Sequence, residues 1–168
     1  PNFAPAEDAA KSFIIDMPGE YEHKDVSVRG IAVPAHLAAD EKAKDAVMYR
    51  IETMGVSIAV IGHTVAPLDD DDLETLGKID IVIIPVGGNG YTLDADDAGA
   101  IIKQLSPSVV IPTHYNDGQT KYEVPQDDLV AFEKEMGGDN IERQTIYKMK
   151  PGATFPVATT TYELSRTR

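Results

Sequence analysis

Apolar positions along this chain come mostly in short runs of strand length, separated by turn residues, with two stretches of helical spacing between them. Val26 to Ala35 reads as a strand with Val26, Val28, Ile31 and Val33 as its apolar positions. Ala46 to Thr53 and Val56 to Ile61 read as a hairpin across Met54-Gly55. Ile79 to Pro85 and Val109 to Pro112 are nearly continuous β-branched runs, the signature of strands buried on both faces. Between those two runs, Ala98, Ile101, Ile102 and Leu105 repeat at helical spacing behind a capping Asp94, which predicts a helix over 95–105 ended by Pro107. Strand, helix and parallel strand is the βαβ unit of a helix-covered sheet. Leu129, Val130, Phe132 and Met136 predict a second helix over 125–136, closed by Gly137-Gly138.

The ends are less regular. Ser12 to Asp16 reads as a short strand broken by Pro18-Gly19, and His23 falls in the turn that follows Gly19-Glu20-Tyr21-Glu22. Leu37 to Asp45 is rich in alanine and charge and reads as a loop or a short helix. Asp69 to Asp72 precede Leu73, Leu76 and Gly77, which fits a short helix with acidic residues at its positive end. A calcium loop needs ordered ligand spacing and a central glycine, which this aspartate run lacks. Ile141 to Met149 and Val157 to Leu164 supply two late strands. The expected class is α/β (α+β): a mixed sheet with flanking helices, in one domain over residues 1–168.

Composition narrows the function. The net charge of −13 opposes binding to nucleic acid or an anionic membrane through a basic face. No apolar run has the length of a spanning helix, and no secretory signal opens the chain, so no membrane association and a cytoplasmic location are expected. With no cysteine, a metal would rest on His, Asp or Glu. Gly87-Gly88-Asn89-Gly90 lacks the lysine and hydroxyl of a phosphate loop and the spacing of a dinucleotide fingerprint, so it reads as a tight turn that lets backbone approach a pocket. No Gly-x-Ser-x-Gly elbow is present.

The histidines carry the chemistry. His36, His63 and His114 each follow a predicted strand, and the carboxyl ends of strands are where open α/β sheets place ligands. Neutral imidazole is the commonest protein metal ligand, so three of them at one sheet edge suggest a shared metal site. One version is a mononuclear zinc site of these three histidines with an open fourth position.

An ordered series of segments then resembles the metallo-β-lactamase superfamily, in its small Zn-dependent hydrolase branch near the ascorbate-phosphate-lactonase-like proteins. The series is Gly19-Glu20-Tyr21-Glu22, Val33-Pro34-Ala35-His36, Tyr49-Arg50-Ile51-Glu52, Ile61-Gly62-His63, Ile79 through Gly88, and Ile111-Pro112-Thr113-His114-Tyr115. The resemblance implies an αββα sandwich with a metal site at one edge. There zinc lowers the pKa of bound water to about 7 and polarises the bond to be cleaved. It makes His36 the second-motif histidine and His114 the last one, with Tyr115 or Asn116 as a substrate contact. His63 stands where the family has a metal-bridging aspartate. A carboxylate spans two cations with its two oxygens, whereas a neutral imidazole offers one lone pair to one metal. The family's first motif, His-x-His-x-Asp-His, has no counterpart in Pro1 to Asp16, and the chain opens on Pro1 rather than Met. The expectation is therefore the C-terminal part of the fold, with the N-terminal half absent, and three arrangements stay open: a piece of a longer protein, a naturally short form, or a first half supplied as a separate chain. Two functions follow. One is a metal-dependent hydrolase that is incomplete or degenerate in this chain and inactive alone. The other is a non-catalytic protein that keeps the fold for binding or assembly. Either way a homo-oligomer or a covering half is the expected partner, because a bare sheet face favours pairing.

Overall fold

The computed structural model describes residues 13–36, 43–138, 141–150, 152 and 154–165. These build one mixed sheet from β1 (Gly19–His23), β2 (Val26–Val33), β3 (Ala46–Thr53), β4 (Val56–Val60), β5 (Ile81–Pro85), β6 (Val109–Thr113), β7 (Ile141–Gln144) and β8 (Thr160–Leu164). Their order across the sheet is β1-β2-β3-β4-β5-β6-β8-β7. The first four form an antiparallel meander, and β4 through β8 pair in parallel. The helices are α1 (Asp70–Leu76), α2 (Ala95–Leu105) and α3 (Leu129–Glu135).

Register divides the side chains between two faces. Arg29, Arg50, Ala59, Val82, Val110 and Thr161 are cross-strand neighbours and share one face. Val28, Ile51, Ile58, Ile81 and Val109 share the other, with Tyr49, Val60, Ile83 and Ile111 beside them. The three helices cover the first face: Leu76 of α1, Ala98, Ile101 and Ile102 of α2, and Leu129 and Phe132 of α3 join Met48, Ala59, Val82, Ile84 and Val110 in the main core. On the second face a smaller cluster forms around Ile81, Val109 and Tyr162, capped by Tyr147, Met149 and Phe155. Over β2, β3 and β4 that face stays half-buried. Among the described residues the architecture is thus one sheet with one helical layer, half of an αββα sandwich.

Local chemistry sets the element ends. Met54 and Gly55 both take positive φ, 51° and 75°, so the β3–β4 connection is a tight two-residue hairpin turn with the twist the strands require. Asp94 caps α2 by accepting from the Asp97 amide, and Asp69 caps α1 by accepting from the Asp72 amide at 2.8 Å. The aspartate run is a helix start.

Several boundaries differ from expectation. Residues 13–16 form no strand; Gly19–His23 does, as the outer partner of β2. His23 therefore ends β1 rather than lying in a turn, with its ring stacked on Phe13. The helix expected over 125–136 begins only at Leu129, because Asp128 caps it by accepting from the Val130 amide. β2 stops at Val33, and Ala35 makes an isolated bridge to Thr64. The two late strands are shorter than expected, at Ile141–Gln144 and Thr160–Leu164. Most of the segment Leu37 to Asp45 lies outside the described residues.

Candidate functional site

The three parallel connections after β4, β5 and β6 reach the same edge of the sheet, and the segment after β2 joins them there. The Ala35–Thr64 bridge and the His36 amide, which donates to the His63 carbonyl at 2.9 Å, tie the segment after β2 to the one after β4. Thr64, itself buried, donates its hydroxyl to the Pro34 carbonyl. His36 and His63 are thereby neighbours through backbone.

His63 and His114 meet through their rings, with centroids 5.2 Å apart and planes at 87°. Two tyrosines complete the cluster. Tyr91 lies 5.0 Å from the His63 ring and 5.7 Å from that of His114, and Tyr122 lies 4.7 Å from His114. Tyr91 arrives on the turn Gly88-Asn89-Gly90 after β5, and Tyr122 on the loop that leads to α3. Sequence reasoning assigned neither. The available signal was weak: each follows a glycine-containing loop after a buried strand.

Both rings are held at Nδ1. That of His63 lies 3.2 Å from the Tyr91 carbonyl, which can only accept, so His63 carries its proton there and its lone pair on Nε2. That of His114 lies 3.2 Å from Gln126 Oε1. Burial pushes the His63 pKa below its ordinary value; the Tyr91 carbonyl works against this, and His114 and His36 add to it as neighbouring potential cations. The Asp97 carboxyl near the start of α2 is shifted above its ordinary value, by burial first and then by Asp94, while His36 draws it the other way.

His114 itself sits at φ 54°, a left-handed conformation that bends the chain sharply at the end of β6. Gly87 lies against that bend. A Cβ there would fall 2.1 Å from the His114 carbonyl oxygen and 2.5 Å from Gln126 Oε1, so only glycine fits. The glycine turn after β5 brings backbone against His114 and Gln126.

Tyr115 and Asn116 are placed differently from the histidines. Tyr115 is half-buried and packs against the main core. Asn116 is exposed, its amide donating to the Asp127 carbonyl and its side-chain oxygen accepting from the Gly118 amide. Among the described residues no three His, Asp or Glu side chains are arranged to hold a metal ion. The histidines supply imidazole lone pairs of the right chemistry, but the described residues do not complete a ligand set. Among them, too, no helix is long and apolar enough to cross a membrane.

Comparison with known proteins agrees with this layout. The profile of the Beta-lactamase superfamily domain matches residues 2–114. A UPF0173 metal-dependent hydrolase of Thermoplasma acidophilum is 26% identical over 110 residues, which cover 66% of this chain and 49% of that protein. Its counterpart in Thermoplasma volcanium is 32% identical over 98 residues, covering 54% of this chain and 43% of the relative. The chain thus spans about half the length of these curated relatives. Among solved structures, a protein of Thermotoga maritima described as a Zn-dependent hydrolase of the metallo-β-lactamase superfamily superposes with a TM-score of 0.71 at 25% identity, over 89% of this chain and 70% of its own. A metallo-β-lactamase fold protein of Bacillus subtilis shares the fold at a TM-score of 0.54 and 11% identity, over 91% of this chain and 52% of its own. The profile covers most of the chain and ends on the histidine that closes the site, and the chain belongs to the beta-lactamase superfamily.

Proposed function

We propose that this chain is the C-terminal part of a metal-dependent hydrolase of the metallo-β-lactamase superfamily, and that zinc is its metal. The observation that carries this reading is the pair of facing imidazoles, His63 and His114, each bound at Nδ1 so that the lone pair is left on Nε2. Metal-ligating histidines are commonly held in this way by a carbonyl or carboxylate behind the ring. His36, fixed beside His63 through backbone, is the third candidate ligand. The names of the Thermoplasma relatives and of the Thermotoga neighbour support a metal-dependent hydrolase.

On this reading the remaining ligands are those of the family's first motif, His-x-His-x-Asp-His, which has no counterpart in Pro1 to Asp16. The half-buried apolar face over β2 to β4 supports a covering layer, either a first half of the fold or a second copy of the chain. A cytoplasmic location goes with this reading, and Asn116, exposed beside His114, is the substrate contact better placed than Tyr115.

Metal binding tests the proposal. Zinc titrated calorimetrically into the protein should bind, and His63→Ala and His114→Ala should each weaken binding at least about tenfold. An affinity that neither substitution moves sinks the metal site and leaves the non-catalytic, assembly role as the better account.

A further inference from the structure

We propose that Gln126 is a positioning residue for His114, fixing its Nδ1–H tautomer and so directing its Nε2 lone pair into the site. The use of that lone pair rests on the metal-site reading above; the tautomer does not.

Gln126 is only 6% exposed, two residues before the cap of α3. Its Nε2 donates to the carbonyls of Val124 at 3.0 Å and Pro125 at 3.2 Å. An amide whose NH2 faces two carbonyl oxygens must present its oxygen elsewhere. The flipped amide would set oxygen against oxygen at Val124 and Pro125. Oε1 is therefore the atom 3.2 Å from His114 Nδ1, and an oxygen without a proton requires one on the nitrogen. A neutral imidazole carries a single N–H, so its lone pair falls on Nε2.

The surrounding backbone keeps this contact in register. The Asp127 amide donates to the Gly87 carbonyl at 2.8 Å, and the Asn116 amide donates to the Asp127 carbonyl at 2.9 Å. These bonds staple the loop after β6 to the end of β5, with Gln126 between them. Gly87 leaves the space in which the amide oxygen sits, since any Cβ there would lie 2.5 Å from it. His63 receives the same service from the Tyr91 main-chain carbonyl, which no substitution removes. At His114 the service comes from a side chain, so it can be tested.

Long-range nitrogen–proton NMR spectra of the uniformly labelled protein at a pH where histidine is neutral distinguish the two tautomers. Wild type should show His114 protonated at Nδ1. Gln126→Leu, which removes the acceptor, should move the population toward Nε2–H, and Gln126→Glu, which keeps an acceptor oxygen, should retain Nδ1–H. A wild-type His114 protonated at Nε2 overturns the proposal, and so does a folded Gln126→Leu whose tautomer is unchanged. Should the leucine variant fail to fold, the wild-type and glutamate spectra still decide. Cobalt titration supplies the second readout, with an affinity loss of about 10- to 100-fold expected in Gln126→Leu. Wild type that holds Nδ1–H yet binds no cobalt overturns the metal-site reading while the tautomer assignment stands.

Discussion

His63 shows how one side chain combines fold and chemistry. It is half-buried behind the Tyr91 carbonyl and faces His114, and both burial and that neighbour disfavour its charged form. Its folded pKa lies below the ordinary 6.5, so the unfolded chain takes up this proton first as pH falls. The contribution of His63 to stability is complete above about pH 6.5 and declines as pH drops toward the lower folded value. Wild type should therefore lose more Tm between pH 7.5 and pH 5 than His63→Gln does. Equal losses in thermal melts of the two proteins would show that the neutral ring contributes nothing. The histidines themselves were legible in sequence because each ends an apolar run. Tyr91, Tyr122 and Gln126 were not, since they reach the site on irregular loops whose paths no periodicity encodes. Tyr115, which follows the bend at His114, packs in part against the main core.

Among the elements, α2 is the one on which the site leans. Its N-terminal cap, Asp94, lies against Gly88 in the loop that delivers Tyr91, and its apolar face packs on the central strands. The bond from the Asp97 amide to Asp94 satisfies one of the free donors at the helix start. Asp94→Ala should cost about 1 kcal/mol in urea denaturation, the usual value for a lost aspartate cap. An unchanged midpoint would mean that solvent replaces the bond fully. Elements with strong local signals were readable from sequence: the Met54-Gly55 hairpin, the caps of α1 and α2, and the buried runs of β5 and β6. β1 was not. Gly19-Glu20-Tyr21-Glu22-His23 buries only Tyr21 in part, so its pairing with β2 comes from register rather than from hydrophobic content. The apolar run Phe13-Ile14-Ile15 misled for the converse reason. It crosses over the strands instead of joining them, as the Tyr49 hydroxyl donating to the Ile15 carbonyl records.

At the scale of the whole molecule the sheet is unequally covered, and this asymmetry makes a quantitative prediction. Ile84 and Ile58 are both isoleucines in central strands, but Ile84 is fully buried under the helices while Ile58 is half-buried on the opposite face. Truncation of a fully buried isoleucine removes its transfer energy and leaves a cavity, so Ile84→Ala should cost about 2–5 kcal/mol. At Ile58 part of the side chain already meets solvent, and on the chain as a monomer Ile58→Ala should cost about 1 kcal/mol. If a second copy covers the face, association adds the missing burial and the cost at Ile58 rises with protein concentration. The net charge of −13 opposes bringing two copies together, so such association should strengthen with added salt, which screens that repulsion. Sedimentation across a salt series, paired with denaturation of both variants, separates the cases. A salt-dependent dimer with a concentration-dependent penalty at Ile58 identifies a second copy as the cover. A monomer at every salt concentration with a constant small penalty excludes a second copy as the cover.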